Sequence, residues 1–211
     1  MPIAEPMTMF TDYVLAGVTG WLGWLMFRAR ERQAARASWA LAFASLAVAA
    51  VLGGTHHGFA PQLSDIILHL LWKATLLAVG IASFSMLVGS TIAATTGTVQ
   101  KHLLALAVVK LALYSGWMVT HDEFVYVIAD TGIAMAAIGV LHGWLAMRIK
   151  DRASLWMLCG VGVSVLAAGV QASGFALHRH FNHNDLYHLV QIVAMGLFYL
   201  GGAGLRDRAK N

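Results

Sequence analysis

Residues 65–88 read DIILHLLWKATLLAVGIASFSMLV, and in this stretch only Asp65, His69 and Lys73 carry ionisable side chains. As a helix the segment rises about 36 Å at 1.5 Å per residue, enough to cross a hydrocarbon core about 30 Å thick. A bilayer holds no water to bond a bare backbone, so a run this apolar is stable there only as a helix or in a closed barrel. Strands of a membrane barrel alternate polar and apolar residues over about ten positions. No such alternation is visible here, so the reading is helical.

Six further stretches share this character. The expected spans are 13–27, 39–58, 66–88, 103–120, 125–147, 155–177 and 186–205, joined by short connections. Composition agrees: 59% of the 211 residues are hydrophobic and 11% are charged, with a mean hydropathy of +0.69. The expected fold class is all-α, a polytopic membrane protein forming one seven-transmembrane-helix domain over residues 1–211. The first segment, MPIAEPMTMFTDY, lacks the basic start of a cleaved signal peptide, so the first span is expected to be retained. A single cysteine, Cys159, excludes an intrachain disulfide.

Charge sets the expected orientation. Followed in order, the loops on one face carry Arg28, Arg30, Arg32, Arg36, Lys101, Arg148, Lys150, Arg152, Arg206, Arg208 and Lys210, against Arg179 alone on the other. Basic residues favour the cytoplasmic side, which places the C-terminus in the cytoplasm and the N-terminus outside. The location expected is a plasma or bacterial inner membrane. The same residues are scattered over four short segments rather than lining one aromatic-interleaved surface, which argues against nucleic-acid binding.

The ten histidines then sort by side. His56, His57, His69, His121, His178, His180, His183 and His188 fall at the outer face, and His102 and His142 belong to the inner half. Helical spacing groups several with other polar residues, because positions three or four apart share a face. Asp65, His69 and Lys73 form one stripe, and Asn184, His188 and Gln191 another, with Asp185 three before His188. Such stripes are expected to face the bundle interior, since a charge in lipid is costly. Lys73, Lys110 and Asp130 lie roughly 12–16 Å below the outer helix ends, deep enough to meet as a structural plug or as the floor of a cavity.

Imidazole and carboxylate are zinc ligands, and a catalytic zinc takes three protein ligands and leaves a place for water. It lowers the pKa of that water toward about 7, and a carboxylate nearby relays the proton. Candidate ligands are His56, His57, His69, His183 and His188, and the candidate carboxylates are Asp65 and Asp185.

The motifs GGTHHGF, LSDIILH and NHNDLYH resemble those of a seven-span hydrolase superfamily. It includes alkaline ceramidases, adiponectin and progestin receptors, and GPI-remodelling lipid hydrolases. There a histidine ending the second span, an aspartate opening the third and a His-x-x-x-His motif opening the seventh surround zinc. The resemblance implies zinc-dependent cleavage of a lipid amide or ester, with His57 or His56, Asp65 and His188 in those places. Two positions depart from the pattern. Asn184 stands four before His188, with His183 one step further back, so His183, His69 or Asp185 must complete the set. Gly53, or Leu52, stands where the family has a serine.

Two other functions compete. One is transport or sensing of a transition metal or proton through the outer histidines, Lys73, Lys110 and Asp130. The other is a haem-b protein with two axial histidines. The partners expected are the bilayer and a lipid substrate, with room for a homo-oligomer. Tryptophans near span ends read as interfacial anchors. The patch GSTIAATTGT, from Gly89, reads as a loop and helix terminus.

Overall fold

The computed structural model describes residues 3–179 and 181–208. Local chemistry sets most helix boundaries. Pro6 is the first residue of α1, Pro6–Arg28, where its missing N–H costs nothing. Helix α2, Ala34–Phe59, ends in a short 3₁₀ turn at Ala60–Gln62. The Ser64 side chain then accepts from the Ile67 amide and opens α3, Asp65–Ala94. Helix α4 covers Gly97–Trp117, and α5 covers Phe124–Ile149. Asp151 caps α6, Arg152–Ser173, and Gly174 ends it in the left-handed region at φ 64°. Helix α7, His183–Gly202, opens on a capping box in which Asn182 and Asp185 bond each other's backbone turn.

Six helices close a ring in the order α1, α2, α3, α5, α6, α7, each packed on the next, while α4 stands outside against α3. One end, here the base, is solid. There Trp39 and Phe198 meet at 5.1 Å between ring centroids with their planes tilted by 35°, beside the buried Met26, Phe43, Met157 and Met195. Arg36 locks this end by donating to the Leu205 and Ala29 carbonyls at 2.7 and 2.8 Å. Asp207 accepts from the Ala34 and Ala35 amides, both at 2.8 Å, and so pins the C-terminal segment to the start of α2. The opposite end, the top, is hollow.

Four helical segments are long and apolar enough to cross a membrane: Ala34–Gln62, Asp65–Ala94, Phe124–Ile149 and Arg152–Ser173. The described residues form seven α-helices and no named strand, so the all-α reading holds. Three boundaries differ from expectation. Helix α1 starts at Pro6 rather than near residue 13, because Thr8, Thr11 and Asp12 turn inward and are buried. Helix α3 runs to Ala94 rather than 88, so the patch from Gly89 holds its last turns, with Ser90 and Thr91 fully buried, as well as the short link to α4. Helix α6 stops at Ser173, four residues before 177, because Gly174 breaks it.

Candidate functional site

The top of the ring is built by the first turns of α1 and α7 and the last turn of α2. Thr8, Thr11, Asp12 and Leu15 recur at helical spacing on the buried face of α1. The capping box fixes how α7 begins. Asp185 Oδ2 accepts from the Asn182 amide at 2.7 Å, and Asn182 Oδ1 accepts from the Asn184 amide at 2.8 Å. Asp185 is thereby committed to starting the helix, its other oxygen 3.5 Å from the Thr11 hydroxyl. Asn184 accepts from Gln171 Nε2 at 2.8 Å, which ties α7 to α6.

One turn further on, His188 enters the interior with its side chain 10% exposed. Its Nε2 stands 3.2 Å from Asp12 Oδ1, and its Nδ1 stands 2.9 Å from Thr11 Oγ1. Thr11 has one proton to give, to the Thr8 carbonyl at 3.1 Å, to Asp185 Oδ1 at 3.5 Å or to His188. In every case the Nε2 to Oδ1 contact is attractive only with a proton between the two atoms. Asp12 and His188 therefore form an acid–imidazole pair that stores an exchangeable proton. Gly54 of α2 lets α1 pack this close, since a Cβ there would stand 2.9 Å from the Asp12 Cβ, while the Asp12 carboxylate lies over Gly53 at ordinary contact distance.

This pair forms part of the wall of a chamber of about 290 Å³ that also meets His57, Gln171, Asn184 and Gln191. A second chamber of about 340 Å³ shares Leu46, Val79, Phe124, Tyr187 and Gln191 with it. The second is lined mainly by apolar side chains such as Met86, Met135 and Val161. The hollow therefore has one polar end and one apolar end, with Gln191 at the junction.

The expected site residues divide. His57, His188, Asn184 and Gln191 come together around the first chamber. His57 Nδ1 lies 3.4 Å from Glu5 Oε2 at the top of α1. His56 faces α3 instead, its Nδ1 3.2 Å from the Leu68 carbonyl and its ring 5.2 Å from that of Trp72. His183 is the first residue of α7, and five residues place it about 140° round the helix from His188. Asp65 is exposed in the first turn of α3, and the exposed His69 stands 3.9 Å from Asp122. His180 and Lys210 lie outside the described residues.

The three deep charges do not form one group. Lys73 donates to the Met118 and His121 carbonyls at 2.8 and 2.6 Å, satisfying the end of α4. Lys110 donates to Asp130 Oδ1 at 2.6 Å and to the Ser83 hydroxyl at 2.9 Å. Sequence reasoning missed Thr11, Asp12, Glu5 and Gln171. The available signal was the spacing of Thr8, Thr11, Asp12 and Leu15, which continues the helical face beyond the apolar run.

The family model of DUF6962, a family of unknown function, matches residues 7–207, and the chain belongs to that family. No curated protein and no solved structure matches it.

Proposed function

We propose that this member of DUF6962 is an integral membrane protein of seven spans that hydrolyses a lipid amide or ester at the Asp12–His188 pair. The observation that carries the reading is the divided hollow, an acid–imidazole pair at its polar end and an apolar chamber beneath. An amphiphile fits such a space with its head linkage at the pair and its chain below.

The membrane reading draws on the four long apolar segments. The remaining helices α1, α4 and α7 have 23, 21 and 20 residues, close to the roughly 20 that a span requires. The eleven-to-one distribution of basic residues supports a cytoplasmic base and an external top. The chain's own surface suggests how lipid reaches the apolar chamber. Gly132 and Ala136 of α5 and Val165 of α6 line it while also being exposed on the outside of the ring. Nearer the base the two helices close, where His142 Nδ1 meets the Ser154 hydroxyl at 2.9 Å. The gap above that clamp is a lateral mouth.

In the reaction, water in the polar chamber attacks the acyl carbon and passes a proton to Asp12. The carbon to nitrogen or carbon to oxygen bond breaks, and the stored proton goes to the leaving amine or alkoxide. Thr11 fixes the ring of His188, and His188 spreads the charge that Asp12 exchanges. The zinc set that the family resemblance implies, His57 or His56 with Asp65 and His188, is not brought together, since Asp65 is exposed at the start of α3. The nearest substitute set would be Asp12, His57 and His188. In this arrangement they do not form a ligand set, and the described residues contain no group of three or more His, Cys, Asp or Glu placed to hold a metal. His57 is turned to Glu5, and both nitrogens of His188 are engaged.

The test is reconstituted protein incubated with N-acyl and O-acyl lipids of graded chain length, with released fatty acid read by mass spectrometry. Release that disappears in both Asp12→Ala and His188→Ala supports the proposal. Folded protein that cleaves no acyl lipid of either class overturns it. A reporter fused to the C-terminus, active only in the cytoplasm, tests the orientation separately.

A further inference from the structure

A hollow larger than either chamber lies away from that site, in the cleft that α4 leaves by standing outside the ring. It measures about 740 Å³ and is walled by α3, α4 and α5. Leu106, Leu113, Ile133 and Val140 line it and are each more than 60% exposed, so the cleft faces outward between α4 and α5. Its top is closed by rings: His121 lies flat on Trp117 at 3.9 Å between centroids, and Tyr126 stands edge-on to Trp117 at 5.7 Å.

Among these apolar walls sits one ion pair with spare capacity. Lys110 is held by Asp130 Oδ1 and by Ser83, which lines the apolar chamber on the other side. Asp130 is 6% exposed and lines the cleft, yet its Oδ2 has no hydrogen-bond partner. The Thr91 hydroxyl, fully buried and also on the cleft wall, has none either. Thr91 lies eight residues below Ser83 on α3, about 12 Å along the axis. Buried polar atoms are seldom left open, and a free carboxylate oxygen costs more than most. In a membrane no bulk water supplies the missing donor.

We propose that this cleft binds an uncharged lipid bearing a free hydroxyl, which donates to Asp130 Oδ2 while its apolar chain lies along α4 and α5 toward Thr91. The charge on the ligand follows from the pair: an anion would face Asp130, and a cation would face Lys110. The bilayer is the source, because the cleft opens sideways. This site rests on the membrane reading above but not on the hydrolase chemistry.

The experiment uses the full chain in phosphatidylcholine vesicles with two photoreactive probes, a diazirine-bearing long-chain alcohol and its methyl ether. The expected result is saturable labelling of α4 and α5 peptides by the alcohol, at least tenfold above the ether. Val140→Trp and Ala137→Phe, which fill the cleft and leave the ion pair alone, should abolish it. His188→Ala should leave it unchanged, so a failed hydrolase proposal is told apart from a failed cleft. Equal labelling by both probes overturns the proposal, as does labelling insensitive to both filling variants. Cross-linking of two copies through α4 in place of lipid labelling also overturns it and makes the cleft a self-association face.

Discussion

His188 and His142 are alike in burial and in being bonded at both ring nitrogens; they differ in partner, a carboxylate and a hydroxyl for the first and two hydroxyls for the second, and in what they face. Each is buried, at 8% and 0% exposure, and each is engaged at both ring nitrogens. His142 sits in a closed chain near the base. Ser154 gives its proton to Asp151 at 2.6 Å, so it can only accept from His142 Nδ1. Nε2 is then left to accept from the Ser90 hydroxyl at 3.2 Å. Every atom of that chain has a partner, and it joins α3, α5 and α6. His188 is as fully bonded but stands on the wall of a hollow. Burial and hydrogen bonding do not separate a site from a strut; access to a cavity does.

The sharpest way to break this contrast is to remove each ring and compare losses. His188→Ala is expected to lower turnover of a lipid amide or ester by about 10²–10⁴-fold, the usual range for proton-transfer groups. It also orphans the buried Asp12 carboxylate, so turnover is read per molecule that remains folded by size exclusion. His142→Ala is expected to act on stability alone. It orphans the Ser90 hydroxyl and leaves a void, a destabilisation of about 2–3 kcal/mol. Denaturation in graded detergent reads the stability, and turnover per folded molecule should stay within about twofold. If His142→Ala silenced folded protein, the base network would belong to the reaction.

How much of this was legible in the sequence follows from the same contrast. The apolar runs fixed helix count and class, because a stretch such as 74–88, with no ionisable residue, has few other ways to fold. His57, His188, Asn184 and Gln191 were reachable from spacing along single helices. Asp12 was not, because hydropathy ends the first span where polar residues begin, and only the closing of α1 on α7 turns those residues inward. Asp65 and His69 show the opposite error. Spacing aligned them, but they stand in the first turns of α3, where a side chain can remain at the surface. Periodicity says which residues share a face; it does not say what the face meets. Gly53 makes the point in reverse, since the place expected to hold a family serine is where the Asp12 carboxylate approaches.

A smaller effect sharpens the reading of the deep lysines. Lys73 and Lys110 looked equivalent as buried cations, yet one terminates a helix and the other pairs with Asp130. Lys73→Met removes two charge-assisted bonds to the carbonyls that close α4, and is expected to cost about 1–2 kcal/mol. Hydrogen exchange should rise over residues near Met118 and His121 while the base stays protected. Exchange rising uniformly would mean that Lys73 supports the whole ring.

The smallest change expected is at Asp65 and His69, and it bears directly on the resemblance to zinc hydrolases. Asp65 stands in the first turn of α3, where a carboxylate favours the positive end of the helix by about 0.3–1 kcal/mol. Asp65→Ala should therefore shift stability by no more than that, and His69→Ala by less. Neither residue lines the chamber that holds Asp12 and His188, so turnover in both variants should remain within about twofold of the parent. Zinc content measured on the same preparations adds a second readout. A loss of tenfold or more in turnover, together with loss of bound zinc in Asp65→Ala, would mean that the top of α3 swings inward during the reaction. It would also place the chemistry on the ligand set that the resemblance implies, rather than on the pair between α1 and α7.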